Sequence, residues 1–147
     1  MTRKTRKTLI ATAIVAMFSI TSVSAMDNQL VVQQFGFGNA TGGSQFGNGN
    51  TIGMYQDGAW NTAVANQFGN GNVAGSGQQG INNFADTFQN GNFNQAGVAQ
   101  FGTNNNSVLS QDGNGNIIAG VQIGDGCSAN VSQTGSGNVT AFVQVCP

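Results

Sequence analysis

The sequence predicts an all-β protein: a β-solenoid of strand-arc-strand rungs, 22 residues per rung, with about eleven short strands stacked in parallel in two facing sheets. Three observations predict it. The hexapeptide QFGNGN stands at residues 45 to 50 and again at 67 to 72. Glutamine returns every 11 residues without a break, at Gln34, Gln45, Gln56, Gln67, Gln78, Gln89, Gln100, Gln111, Gln122, Gln133 and Gln144. Two places after each, up to the last, comes glycine (Gly36, Gly47, Gly58, Gly69, Gly80, Gly91, Gly102, Gly113, Gly124, Gly135), and five places after comes asparagine (Asn39, Asn50, Asn61, Asn72, Asn83, Asn94, Asn105, Asn116, then Asn138). Asn28 holds the same phase ahead of the first Gln. Eleven successive glutamines in one phase have a probability on the order of 10⁻¹⁰ from composition alone, so the repeat is real.

A segment outside the repeat comes first. Residues 1 to 7 carry Arg3, Lys4, Arg6 and Lys7, an apolar run follows from Thr8 to Ile20, and Val23 and Ala25 form an A-x-A-like site. That order is a secretory signal peptide over residues 1–25. The alternative, a membrane anchor, needs roughly 20 apolar residues, and this run has 13. Cleavage leaves 147 − 25 = 122 residues as one repeat domain over 26–147, for which no membrane insertion is expected. All four basic residues depart with the signal, whereas Asp27, Asp57, Asp86, Asp112 and Asp125 stay, giving a formal charge of −5 with no Lys, Arg, His or Glu. A basic groove for phosphates is then excluded, and with it nucleic acid as a partner. The same lack of titrating groups argues against an enzyme, and no cofactor is expected.

Seven residues from each Asn to the next Gln make a strand, and the four between Gln and Asn carry a glycine able to take the positive φ of a tight arc. Strands are therefore expected at 28–34, 39–45, 50–56 and onward in steps of 11 to 138–144. Alternation places Asn, the residues two and four on, and Gln on one face. That face reads Asn28, Leu30, Val32, Gln34 in the first strand and Asn94, Ala96, Val98, Gln100 in the seventh, a thin closed interior flanked by amides. The other face is mixed, with Thr51, Gly53 and Tyr55 in one strand and Phe84, Asp86 and Phe88 in another. Units of like parity stack about 4.8 Å apart, so the two QFGNGN copies are one arc seen a rung apart. Eleven strands make five and a half rungs, roughly 26 Å of stack. Each Gln and Asn is expected to hydrogen-bond to its counterparts above and below, since an unpaired buried amide costs about 1–3 kcal/mol. With no capping helix, and with Pro147 and a disulfide as the candidate devices for blunting an end, such a stack is expected to invite another copy at its open rungs.

The unit Gln67-Phe68-Gly69-Asn70-Gly71-Asn72-Val73-Ala74, running on to Gln78, resembles the curlin repeat of bacterial curli fibre subunits, and the resemblance extends over 26–147. It implies a protein exported by a Gram-negative bacterium that polymerises with itself into extracellular functional amyloid, a fimbrium of the biofilm matrix serving adhesion and surface colonisation. The in-facing Gln and Asn rows would then drive stacking of one subunit on the next. A nucleator subunit and an outer-membrane secretion apparatus are the further partners implied. The chain departs from the pattern in its two cysteines, in having no basic residue in the repeats, and in arcs such as Asp57-Gly58-Ala59-Trp60 that lose the second glycine. The lack of basic residues favours the major subunit over the minor nucleator. A monomeric surface- or ice-binding solenoid would want a grid of Thr, whereas the outward column opens Ala40, Thr51, Thr62, Val73, Phe84, Gln95.

Cys127 replaces a ladder Asn and Cys146 an arc Gly; Cys146 should lie over Gly124, and Cys127 starts the strand three residues beyond. A disulfide is expected there rather than two free thiols, contributing roughly 3 kcal/mol. The resemblance implies export unfolded through a narrow pore, hence closure mainly after export. Asp57, Asp86, Asp112 and Asp125 read as gatekeepers against premature aggregation. They are too dispersed for a shared calcium ion or a hydrolase carboxylate pair: Asp57 and Asp112 fall on opposite edges, and Asp57 and Asp125 three rungs or roughly 14 Å apart. The arc rings Phe35, Phe46, Phe68, Phe101 and Trp60 are expected to pack along the stack. Phe84 and Phe88 are the candidates for lateral contact between fibres.

Overall fold

The computed structural model describes residues 27–147; the expected signal segment lies outside the described residues. The chain forms eleven strands: β1 (Gln29–Phe37), β2 (Ala40–Phe46), β3 (Thr51–Ala59), β4 (Thr62–Phe68), β5 (Val73–Ile81), β6 (Phe84–Asn90), β7 (Gln95–Thr103), β8 (Asn106–Asn114), β9 (Ile117–Asp125), β10 (Ser128–Ser136) and β11 (Val139–Val145). The odd strands make a six-stranded sheet in the order β1-β3-β5-β7-β9-β11, and the even strands a five-stranded sheet in the order β2-β4-β6-β8-β10. Every pairing is parallel and pairs residues one rung apart, Gln34 with Gln56 and Gln56 with Gln78 in one sheet, Gln45 with Gln67 in the other. This is the two-sheet solenoid that the 11-residue spacing predicts. No helix among the described residues is long and apolar enough to cross a membrane.

Each strand starts one residue later than the Asn-to-Gln rule places it and runs one to three residues past its Gln, as in β1, which ends at Phe37. The cause is that the arcs stack as tightly as the strands. The Trp60 amide donates to the Phe37 carbonyl at 3.1 Å and the Gly69 amide to that of Phe46 at 3.0 Å, so the backbone ladder continues around the bend.

The in-facing columns close on each other along the length of the stack. Ala63 and Ala85 are fully buried, Ile52 and Ile118 are 1 % exposed, and Leu109 is fully buried. Small residues opposite aliphatic ones let the two sheets approach closely. In the last rung Phe142 fills the space left by Gly120, where a methyl group would run into its ring. Among the described residues the interior is a packed core, and it positions two rows of amides per sheet.

Candidate functional site

The glutamine rows run through the protein as continuous hydrogen-bonded chains. In the odd sheet Nε2 of Gln34 donates to Oε1 of Gln56 at 2.7 Å, Gln56 to Gln78 at 2.7 Å, Gln78 to Gln100 at 2.8 Å, Gln100 to Gln122 at 2.8 Å and Gln122 to Gln144 at 2.8 Å. In the even sheet Gln45, Gln67, Gln89, Gln111 and Gln133 are linked in the same sense at 2.8 to 3.0 Å. From Gln45 onward the second N–H of each amide reaches the opposite sheet, as where Gln56 donates to the Ala40 carbonyl at 3.0 Å and Gln78 to that of Thr62 at 2.9 Å. An interior glutamine thus satisfies both donors and its acceptor while fully buried.

The asparagine rows bond differently. Their side chain is one methylene shorter and lies against the arc rather than reaching its own kind. Oδ1 of Asn50 accepts the backbone N–H of Asn72 at 3.0 Å, and Oδ1 of Asn72 that of Asn94 at 3.0 Å. Nδ2 donates to an arc carbonyl 19 residues on, Asn50 to Gly69 and Asn72 to Gly91, each at 2.8 Å. Direct amide-to-amide bonds occur at some positions, such as Asn83 to Asn61 at 3.0 Å and Asn138 to Asn116 at 3.1 Å. The expected asparagine ladder is therefore mainly a clamp of side chain on arc backbone.

That clamp needs the arc glycines where they are. Gly36, Gly47, Gly58, Gly69, Gly80, Gly91, Gly102, Gly113, Gly124 and Gly135 all have φ between 100° and 129°. A Cβ on Gly58 would fall on the Gly80 carbonyl oxygen of the next rung. A second left-handed position, not anticipated as a recurring demand, stands just before each row Asn and before Cys127, which takes an Asn's place. It holds Gly38, Gly49, Gly71, Gly115, Gly126 and Gly137, but also Trp60 (φ 59°), Asn82 (56°), Phe93 (57°), Asn104 (56°) and, at the start of the chain, Asp27 (65°). A non-glycine residue there costs roughly 1–2 kcal/mol. The signal for it was the second glycine of QFGNGN.

Cys127 and Cys146 form a disulfide with a Cα separation of 5.6 Å and a sequence separation of 19. This is the same step that joins Asn50 to the Gly69 carbonyl, so a covalent bond occupies the slot of an asparagine clamp. The Cys127 backbone N–H still donates to Oδ1 of Asn105 at 3.0 Å.

The aspartates do not behave alike. Asp112 accepts from Asn90 at 3.0 Å. Asp125 accepts from Asn104 and Thr103, both at 2.9 Å, which hold its carboxyl below the usual carboxylate range. Asp57 lies near the end of β3, between Phe35 and Gln79 on the neighbouring strands. Asp86 sits on the outer face of β6 between Val64 and Val108. Burial pushes its pKa up, offset in part by the Thr87 amide, and its Oδ1 has no hydrogen-bond partner. It is a half-buried charge, unlike the solvated gatekeeper the sequence suggests. Among the described residues no three of His, Cys, Asp or Glu gather in a way that could hold a metal ion.

The arc rings do run along the stack. Phe46 lies flat on Phe68 with centroids 5.0 Å apart, Phe68 meets Phe88 at 5.7 Å, Phe35 meets Tyr55 at 5.9 Å, and Phe37 meets Trp60 edge-on at 5.8 Å. Phe101 is exposed. Among the described residues the first rung lies open, with Leu30, in the same column as Ile52, 55 % exposed and Val32 39 % exposed, and at the other end the in-facing Asn138 is exposed while Thr140, Phe142 and Gln144 are half-buried.

The fold and its amide rows define a class: a two-sheet β-solenoid whose interior is stapled by repeated Gln and Asn. Within that class, the family model described as a curlin associated repeat matches residues 25–58 and 80–113. No curated protein matches the chain. The two matched segments support the curlin family, which with the solenoid fold is structural rather than catalytic. Their starts differ by 80 − 25 = 55 residues, five 11-residue units, so one match covers β1-β2-β3 and the other β6-β7-β8. The unit is laid onto the two sheets interchangeably.

Proposed function

We propose that this chain is a curlin-type structural subunit, secreted after loss of residues 1–25, that stacks end to end into extracellular amyloid fibres of a biofilm matrix for adhesion and surface colonisation. The observation that carries the reading is the open interior of the first described rung, matched at the far end by amide rows with no rung beyond them. In-facing residues that are buried in the middle of the stack are exposed in the first rung, and the Gln amides there lack the neighbour that every interior one has. Unpaired strand edges template another strand, and among the described residues the opposite end of another copy carries the matching spacing of apolar and amide groups. Copies of this chain are therefore the principal partner; a nucleating subunit and an outer-membrane secretion apparatus would start and deliver the polymer. The uniform repeat and the absence of basic residues from it favour the elongating major subunit.

The test is thioflavin T growth of purified 26–147 at micromolar concentration, with and without seeds, followed by fibre diffraction. The reading expects a lag that seeds shorten, with reflections at 4.7–4.8 Å and about 10 Å. A β-rich monomer that never grows would overturn it and move the weight to a solenoid that binds surfaces alone.

A further inference from the structure

We infer that successive copies in the fibre are related by a half-turn about its axis, with β1 of each copy pairing on β10 of the copy before it and β2 on β11. The inference rests on the fibre reading above and goes further, because an odd number of strands leaves the stack half a rung out of phase. The odd sheet ends at β11, whereas the even sheet ends at β10, one strand short. A copy added in the same orientation would set β1 on β11 and leave that slot empty at every junction, exposing the core beneath it and leaving Gln133 with no glutamine beyond it. A copy turned by half a revolution puts β1 into the slot. Each sheet then continues as the other sheet of the next copy, which the interchangeable 11-residue unit permits.

The register closes in phase, with the two chain ends overlapping by a single residue. In the half-turned arrangement Gln34 of the next copy stands where residue 133 + 22 = 155 would be, and Gln45 where 144 + 22 = 166 would be, the rung step being 22 residues. Both give an offset of 121 residues, eleven units of 11, so Asp27 falls at position 148, directly after Pro147, while Met26, the first residue left by the expected cleavage, counts to the position of Pro147 itself, and the two chain ends part there. The arc begun by Gln144-Val145-Cys146-Pro147 is finished by Asp27-Asn28 of the next chain. Asp27 already holds the left-handed conformation, φ 65°, that the residue before each arc Asn adopts.

The donors and acceptors match across this composite arc. By the rule that operates inside the chain, Nε2 of Gln144 would donate to Oε1 of Gln45, and Nε2 of Gln133 would exchange its bond to the Thr140 hydroxyl, 3.0 Å in the single copy, for one to Oε1 of Gln34. Asn138 would clamp the Gly36 carbonyl 19 positions on and accept the Asn39 amide, as Asn116 does with Gly135 and Asn138. Two features depart from the rule: Cys127 has no Oδ1 to receive the Asn28 amide, and Cys146 stands at the arc-glycine position without the positive φ that Gly36 to Gly135 share. The outer faces would alternate as well: the shallow apolar groove floored by Gly53, Gly75 and Gly97 on the odd sheet would appear on opposite sides of the fibre in successive copies.

Two double variants discriminate the arrangements, both with the native disulfide retained and the introduced cysteines at exposed outward positions. Gln33→Cys with Ser132→Cys places thiols on adjacent strands, roughly 5 Å apart, only in the half-turned junction. Gln33→Cys with Val143→Cys does so only in the in-phase one. Fibres of each are treated with a short bifunctional thiol reagent and run under non-reducing, denaturing conditions. The expected result is a ladder of covalent oligomers from the first pair and monomer from the second. The reverse pattern, or monomer from both pairs in well-formed fibres, overturns the half-turn while leaving the fibre intact. Unaltered fibres provide a readout free of substitutions: the half-turn predicts a subunit rise of about 26 Å with faces repeating at about 53 Å, against a single repeat of about 29 Å for in-phase stacking. Failure of the unaltered chain to form fibres overturns the fibre reading and this inference together, which separates the two failures.

Discussion

The middle and the ends of this molecule are written in the same 11-residue unit and live in different environments. Ile52 is 1 % exposed and Leu30, one rung away in the same column, is 55 % exposed. Gln78 accepts from Gln56 and donates to Gln100, while Gln144 accepts from Gln122 and has no rung beyond it. What distinguishes core from surface here is the presence of a neighbouring rung. A fold whose surface differs from its core only by a missing neighbour is completed by adding one.

The largest expected effect comes from breaking an interior arc. Gly80→Ala puts a side chain at φ 124° and onto the Gly102 carbonyl; strain plus overpacking should cost about 3–5 kcal/mol. Gly135→Ala meets only the Asn138 amide, at 3.5 Å, and should cost about 1–2 kcal/mol. Urea unfolding of the monomer under non-assembling conditions measures both, and equal losses would contradict the comparison.

Amide deletion sharpens it. Gln78→Ala strands the Nε2 of Gln56, the Oε1 of Gln100 and the Thr62 carbonyl, for a loss of about 3 kcal/mol. Gln144→Ala should cost the monomer under about 1 kcal/mol, since water serves the exposed groups, yet slow elongation from seeds several-fold. The two assays should rank these variants in opposite order if Gln78→Ala, once folded, presents unaltered ends.

The disulfide comes next. Cys127→Ser with Cys146→Ser should lose about 2–3 kcal/mol in the same unfolding assay. Cys127→Asn with Cys146→Gly restores the asparagine clamp and should recover about 1 kcal/mol of that. Phe93→Gly relieves the left-handed φ of a ring that is 69 % exposed and should gain about 0.5–1 kcal/mol, net of the entropy glycine adds to the unfolded chain.

The smallest effect is a pH dependence. Desolvation raises the folded pKa of Asp86 above its unfolded value, so ionising it costs stability. That cost is absent below the unfolded pKa and complete once pH has risen past the folded one. Asp86→Asn should therefore stabilise the protein at neutral pH, with the advantage shrinking to nothing on the acid side; an advantage that grows on acidification would contradict this reading. Asp125, with its lowered pKa and full exposure, pulls the other way: its stabilisation is present above the unfolded value and is lost as pH falls through the folded one.

Most of the fold was legible because a strict 11-residue period leaves one register. The eleven strands, the pairing of Gln34 with Gln56 and the facing of Ile52 into the core all follow from it. Three features were not legible. Strand ends such as Phe37 extend into the arcs because arc backbones pair too, and composition does not report that. The asparagines bond to backbone groups whose position depends on the arc conformation. The second left-handed position was hidden by Trp60, Asn82, Phe93 and Asn104, which pay its strain locally and so erase the glycine that would have marked it.

The measurement that tests the central claim most directly is residue-resolved amide hydrogen exchange of the monomer and of the fibre. In the monomer, β1, β2, β10 and β11 should exchange faster than β5 to β7. If the ends become interior on assembly, protection of those four strands should rise in the fibre to the level of β5 to β7. End strands that exchange as fast in the fibre as in the monomer would contradict the account.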